Sequence, residues 1–155
     1  MAEPLFGNNL CVQIGILCKD LETTAKKYAE FFGVDMPPIG QTGPYEQAHT
    51  EYHGKPVKGR CRQAFFKVGP NIDIELIEPD GEDSVWRDDL LEHGEGLHHI
   101  AFNVRDMDAC LAKSEAAGYP LRQRGRWDTG HYAYVDTRDG LKLVVELLEN
   151  GKFDI

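Results

Sequence analysis

Gln13, Glu75, His99 and Glu146 carry side chains from which a divalent-metal site can be made. Glu75 and Glu146 each lie inside a short apolar run, where a carboxylate is rarely buried unless it is paired or ligating. A Gln and a His hold matching places in two further strand-like segments. Amide oxygen and imidazole nitrogen are both competent ligands, and two carboxylates balance a 2+ charge. One nitrogen and three oxygens suit Zn, Ni, Co or Mn in an open site that leaves room for water or substrate. Such an ion stabilises the charge that develops when the carbon next to a chelated carbonyl loses a proton. A nearby carboxylate takes that proton and returns it to the same or a neighbouring carbon. Either Glu alone reads equally well as the outward side chain of a half-exposed strand. The coincidence of four carries the metal reading.

The elements that must position these residues come as a repeat. Gln13-Ile14-Gly15-Ile16 runs into Lys19-Asp20-Leu21-Glu22 and an alanine- and lysine-containing segment ending near Gly33. His99-Ile100-Ala101-Phe102 runs into Arg105-Asp106-Met107-Asp108 and a similar segment ending at Gly118. Gly69 precedes Glu75-Leu76-Ile77-Glu78 as Gly140 precedes Glu146-Leu147-Leu148-Glu149, a shared G-x5-E-L-[IL]-E pattern. The first unit predicts a strand over 10–18 and a helix over 21–32, with Asp20 as N-cap and Gly33 as stop. Strands over 61–68 and 72–78 follow, joined at Gly69-Pro70-Asn71. The second unit predicts a strand over 97–104, a helix over 107–117 and strands near 131–136 and 142–148. A short polar helix within Asp83–Glu95 joins the two. Residues 35–58 are expected to hold a strand or two and a mobile loop. The whole is expected to be one domain over 1–155: module one about 8–80, linker about 83–95, module two about 96–150.

Strand parity sets the faces. Val12, Ile14, Ile16 and Cys18 share a helix-facing side, as do His98, Ile100, Phe102 and Val104. Gln13 and His99 fall on the other side, each followed there by a small residue, Gly15 or Ala101. Ile72, Ile74 and Leu76 point to the core and Glu75 away; Leu143, Val145 and Leu147 point to the core and Glu146 away. All four polar residues therefore project from the side opposite the helices.

Seventeen Lys and Arg against 26 Asp and Glu give a net charge of −9, which argues against a nucleic-acid partner. Two basic clusters, Lys55, Lys58, Arg60 and Arg62 and then Arg122, Arg124 and Arg126, read first as solvated loop faces and second as seats for an anionic substrate. Cys11, Cys18, Cys61 and Cys110 make no C-x-x-C pair and read as reduced thiols. No apolar run approaches the roughly 20 residues of a membrane span, and Met1-Ala2-Glu3-Pro4 does not read as a signal peptide. A cytoplasmic location is expected.

From about Leu10 to Glu149 the chain resembles the vicinal oxygen chelate superfamily, which includes glyoxalase I and methylmalonyl-CoA epimerase. The resemblance implies an α+β fold in which two βαβββ modules pair into a cupped mixed sheet, as in the glyoxalase/bleomycin resistance/dioxygenase fold. It places ligands for one divalent ion on the first and last strand of each module: Gln13, Glu75, His99 and Glu146. The ligand set is similar to that of some glyoxalase I enzymes. The stretch from Asp83-Ser84 through His93-Gly94-Glu95-Gly96-Leu97-His98-His99-Ile100-Ala101-Phe102 is more similar to the epimerase linker and strand, and it is the longer match. The implied function is a metal-dependent isomerase, epimerase or lyase moving a proton α to a metal-chelated carbonyl, with Glu146 and Glu75 as the catalytic carboxylates. Some epimerases carry a base on the strand before the last one of module one; the nearest position here is Gln63, which cannot act as a base. Glu75 or Glu146 must then take that role, or a group such as Glu51, His49 or His53. Gln63, Arg126 and His131 are candidate substrate contacts, although His131 reads first as a capped strand end. The expected partners are a small anionic substrate and a second copy of the chain in a homodimer. An Fe(II) extradiol dioxygenase is disfavoured because Gln13 stands where a His is needed. The alternative is a non-catalytic protein that binds and sequesters a small drug, as the bleomycin-resistance members do; those members typically lack the ligand set, whereas this chain keeps all four positions competent.

Overall fold

Period-two alternation over 11–17 and over 96–103 makes the two strands at the centre of the molecule. The computed structural model describes residues 1–151; residues 152–155, the end of the domain expected over 1–155, lie outside the described residues. In chain order the elements are β1 (Cys11–Leu17), α1 (Leu21–Phe32), β2 (Gly40–Gln41), α2 (Tyr45–Ala48), β3 (Glu51–Tyr52), β4 (Lys55–Pro56), β5 (Cys61–Lys67) and β6 (Asp73–Pro79). Then come α3 (Val85–His93), β7 (Gly96–Asn103), α4 (Met107–Ala116), β8 (Leu121–Trp127), β9 (Gly130–Val135), α5 (Arg138–Leu141) and β10 (Val144–Asn150).

The two long helices start and stop where local chemistry directs. Asp20 accepts from the Thr23 amide at 3.0 Å and Asp106 from the Ala109 amide at 2.9 Å, each satisfying an N-terminal donor. Gly33 ends α1 in the left-handed region at φ 66°, which costs glycine nothing. Leu21, Ala25 and Ala29, spaced by four, form the buried stripe of α1 and pack on Ala64, Phe66 and Leu76. Met107 and Cys110 of α4 do the same against Ala133, Val135, Val145 and Leu147.

All ten strands form one curled mixed sheet, in the order β2-β5-β6-β1-β7-β10-β9-β8-β3-β4. Within each module the first and last strands run parallel, β1 with β6 and β7 with β10, and β1 and β7 meet antiparallel at the centre. The fold is the α+β cupped sheet that the resemblance implies. The helices α1 and α4 cover the outside. On the inside, α3 brings Val85 and Trp86 against Leu17, Ile77, Tyr132, Tyr134 and Val144. Among the described residues no helix is long and apolar enough to cross a membrane.

Four expectations need correction. Residues 121–127 form a strand, masked in the sequence by three Arg and a Gly with poor strand preference. Within it Arg122 is not part of a solvated basic face: it is bidentate to buried Asp89. His98 does not face the α1–α4 side with Ile100. The pairing of β1 with β7 steps from Gly15↔His99 to Ile16↔Leu97, so His98 is the extra residue of a bulge and its ring turns inward. Residues 35–58 hold three short strands and a one-turn helix rather than a strand or two, and they divide between both edges: β2 pairs with β5, whereas β3 pairs with β4 and crosses to β8 of module two.

Candidate metal centre

Four adjacent strands, β6-β1-β7-β10, each contribute one of the four polar residues. Register arranges them in two rows. Glu75, Gly15 and His99 lie side by side, as do Gln13, Ala101 and Glu146. The middle residue of each row is the small one, so the outer two can lean over it. At Gly15 the need is absolute: a Cβ there would lie 1.9 Å from Cε1 of His99.

The side chains converge. His99 Nε2 is 3.4 Å from Glu75 Oε2 and 3.1 Å from Glu146 Oε2. The inward atom of the Gln13 amide is 2.8 Å from Glu146 Oε2, 3.0 Å from Glu75 Oε2 and 3.0 Å from His99 Nε2. Glu75 and Glu146 are 3% and 4% exposed and His99 is fully buried. With its oxygen inward, the Gln13 amide adds a third oxygen to the two carboxylates, a set whose charge a bound divalent ion would balance. With its NH2 inward, it donates to both carboxylates instead. Ligand atoms held about 2.0–2.2 Å from one ion stand roughly 3 Å apart, as these do. Three oxygens and one nitrogen fit a borderline divalent ion.

Electrostatics follow from this crowding. Burial works against a charged His99, but the carboxylates of Glu146 and Glu75 outweigh it and raise the imidazole to about 9. Burial, reinforced by the charge on Glu146, raises the Glu75 carboxyl above its ordinary value, against the pull of His99 and Gln63. Gln63 donates from Nε2 to Glu75 Oε1 at 2.6 Å and so holds that carboxylate by its other oxygen.

A cavity of about 730 Å³ opens over the site, with Gln63, Phe65, Arg126, Trp127 and Tyr132 in its wall. Two of the three candidate substrate contacts, Gln63 and Arg126, thus line the cup. His131 borders a second cavity with Arg105 and Asp106, beside the start of α4. Of the alternative bases, Glu51 and His49 border that second cavity, and Glu51 accepts from Arg124 Nε at 2.8 Å. His53 stacks on Tyr52 with ring centroids 4.2 Å apart.

Sequence reasoning missed Asp89, His98 and Arg122. His98 Nδ1 lies 3.0 Å from His99 Nδ1, and His98 Nε2 lies 2.8 Å from Asp89 Oδ2. One local signal for Asp89 was present: it stands one turn after Trp86 on the apolar side of α3, where a carboxylate needs a partner.

Residues 12–135 match the family model described as Glyoxalase/Bleomycin resistance protein/Dioxygenase superfamily. No curated protein matches the chain's sequence. Several solved structures share the fold. Methylmalonyl-CoA epimerase from Mycobacterium tuberculosis is 22% identical, with a TM-score of 0.64 over 98% of this chain and 93% of that one. A variant of Streptomyces coelicolor methylmalonyl-CoA epimerase in complex with 2-nitronate-propionyl-CoA is 24% identical, with a TM-score of 0.61 over 92% and 97%. The hypothetical protein BH1468 from Bacillus halodurans C-125 is 19% identical, with a TM-score of 0.63 over 94% and 97%.

Proposed function

The chain belongs to the Glyoxalase/Bleomycin resistance protein/Dioxygenase superfamily, and within it we propose a metal-dependent enzyme that moves a proton α to a metal-chelated carbonyl, with an acyl thioester of the methylmalonyl-CoA kind as first candidate substrate. The convergence of Gln13, Glu75, His99 and Glu146 from both modules onto one point carries the reading. A divalent ion bound there would supply charge stabilisation to an enolate oxygen.

The protein's own groups do the rest. Glu75 and Glu146 are the candidate proton acceptors, and the raised carboxyl of Glu75 brings it nearer to the operating range of a general base. Gln63 fixes one Glu75 oxygen and leaves the other to the centre. Arg126 is placed to meet a negative substrate group at the wall of the cup. Trp86, Tyr132 and Tyr134 keep water from the floor. The epimerase neighbours and the long linker-and-strand likeness favour epimerisation over the glyoxalase-type shift to a neighbouring carbon.

The test is metal content of the purified protein, followed by deuterium exchange at the α-carbon of methylmalonyl-CoA and of 2-oxo hemithioacetals in heavy water. One ion per chain and exchange into the thioester are expected. A metal-free protein that folds unchanged after chelation and exchanges neither substrate would favour the drug-sequestering reading.

Binding should also be linked to pH. Below about 9 the metal-free His99 carries a proton that an ion must displace. Affinity should therefore fall as pH falls, by about tenfold per unit for one proton. Calorimetry in two buffers of different ionisation heat should count about one proton released near neutral pH. No release would mean that His99 is neutral before the ion arrives.

A further inference from the structure

Two bulges aim side chains at one carboxylate. On β7 the extra residue is His98; on β8 the pairing steps from Leu121↔Val135 to Gln123↔Tyr134, and the extra residue is Arg122. A bulge redirects the side chain at the extra position. Both redirected side chains reach Asp89 of α3. His98 Nε2 lies 2.8 Å from Asp89 Oδ2, and Arg122 donates from its two terminal nitrogens at 2.9 Å to both oxygens. Asp89 is 1% exposed and His98 fully buried. Burial opposes ionisation of Asp89, yet the hydrogen bonds from His98 and Arg122 outweigh it and hold the carboxyl below its ordinary range.

The protons follow by elimination. An ionised carboxylate only accepts, so His98 Nε2 carries a hydrogen. Asp89 already faces Arg122, with Arg138 at 3.7 Å, so a further positive charge on buried His98 would go unbalanced. A neutral imidazole has one N–H, which leaves His98 Nδ1 as an acceptor. The 3.0 Å contact between His98 Nδ1 and His99 Nδ1 needs one proton, and it must sit on His99. With Nδ1–H held by His98, the proton that an incoming ion displaces is the one on Nε2, and the lone pair it leaves is on the nitrogen turned to Gln13, Glu75 and Glu146.

We propose that Asp89 and His98 are positioning residues that hold His99 in its Nδ1–H form with Nε2 aimed at the ion, which makes the linker helix part of the metal centre. The inference rests on the metal reading above. A ligating histidine usually hands its second N–H to a carboxylate, carbonyl or water directly; here a second histidine stands between. The same helix adds Trp86, whose Nε1 donates to the Tyr134 hydroxyl at 3.0 Å. Tyr134 in turn lies edge-on to both imidazoles, with centroids 5.6 Å from His98 and 5.2 Å from His99. Displacing α3 would therefore displace His99.

Asn and Leu are close in shape, but only Asn can put an acceptor where His98 has Nδ1. Competition against a chromophoric chelator should show Zn affinity roughly 10- to 100-fold weaker in His98→Leu, and largely recovered in His98→Asn. A packing role would favour Leu, so equal loss in both, or better binding in His98→Leu, would overturn the proposal. Long-range proton–nitrogen spectra of the metal-free wild type provide a second readout that needs no variant. A hydrogen on Nε2 of His98 is expected; a hydrogen on its Nδ1 would overturn the relay even if neither variant folds. A wild type that binds no divalent ion would defeat the metal reading, whereas intact binding with the wrong His98 tautomer would defeat the relay alone.

Discussion

Replacing Glu146 with alanine should leave a folded protein that holds no divalent ion under ordinary dialysis and exchanges no α-proton. Glu146 Oε2 is 3.1 Å from His99 Nε2 and 2.8 Å from the inward atom of the Gln13 amide, in a pocket that water hardly reaches. Removing one of two carboxylates leaves a bound ion half-balanced. Breaking a buried charge pair costs about 3–5 kcal/mol, on the order of a hundred- to a few-thousand-fold in affinity. Metal content by mass spectrometry and a circular-dichroism melt separate lost binding from lost fold. Retention of both metal and exchange would overturn the mechanism. Glu146→Gln refines the result: it keeps a ligand oxygen and removes the base. Exchange surviving with bound metal in that variant would assign the proton transfer to Glu75.

Gly15→Ala should have a smaller but still clear effect, from a residue that contributes no ligand atom. The added methyl would stand 1.9 Å from Cε1 and 2.4 Å from Nε2 of the His99 ring. His99 cannot retreat easily, because His98 lies against its Nδ1 and Tyr134 lies edge-on to it. Overpacking of this kind costs about 1–3 kcal/mol, which lowers the melting temperature of a chain this size by roughly 2–12 °C. Metal affinity should fall with it, because the imidazole must leave the row it shares with Glu75. Titration with Zn and a thermal melt read both effects. Wild-type affinity in Gly15→Ala would show that His99 is not held where the structure puts it.

The difference between these two substitutions mirrors what the chain's order makes legible. Glu146 stands out by its own chemistry, a carboxylate inside Val-Val-Glu-Leu-Leu. Along the chain Gly15 reads only as a small neighbour that leaves room; its role as the floor under His99 needs the β1–β7 register. Arg126 appears in a basic run, but its place in the wall of the cup comes from β8, a strand whose arginines hid it. Alternation puts His98 on the wrong face because it assumes a regular ladder, and a single bulge reverses it.

The repeat, the two helices with the capped ends of the first, and the alternation that puts Gln13, Glu75, His99 and Glu146 on the sides of their strands away from the helices can all be read along the chain. Those are local properties: caps act within a turn, and alternation within a strand. That the four meet, that β3 crosses to the far module, and that His98 and Arg122 turn to Asp89 emerges only from the folded chain. Each of these joins residues far apart in the chain through strand register and bulges, which neighbouring residues do not encode.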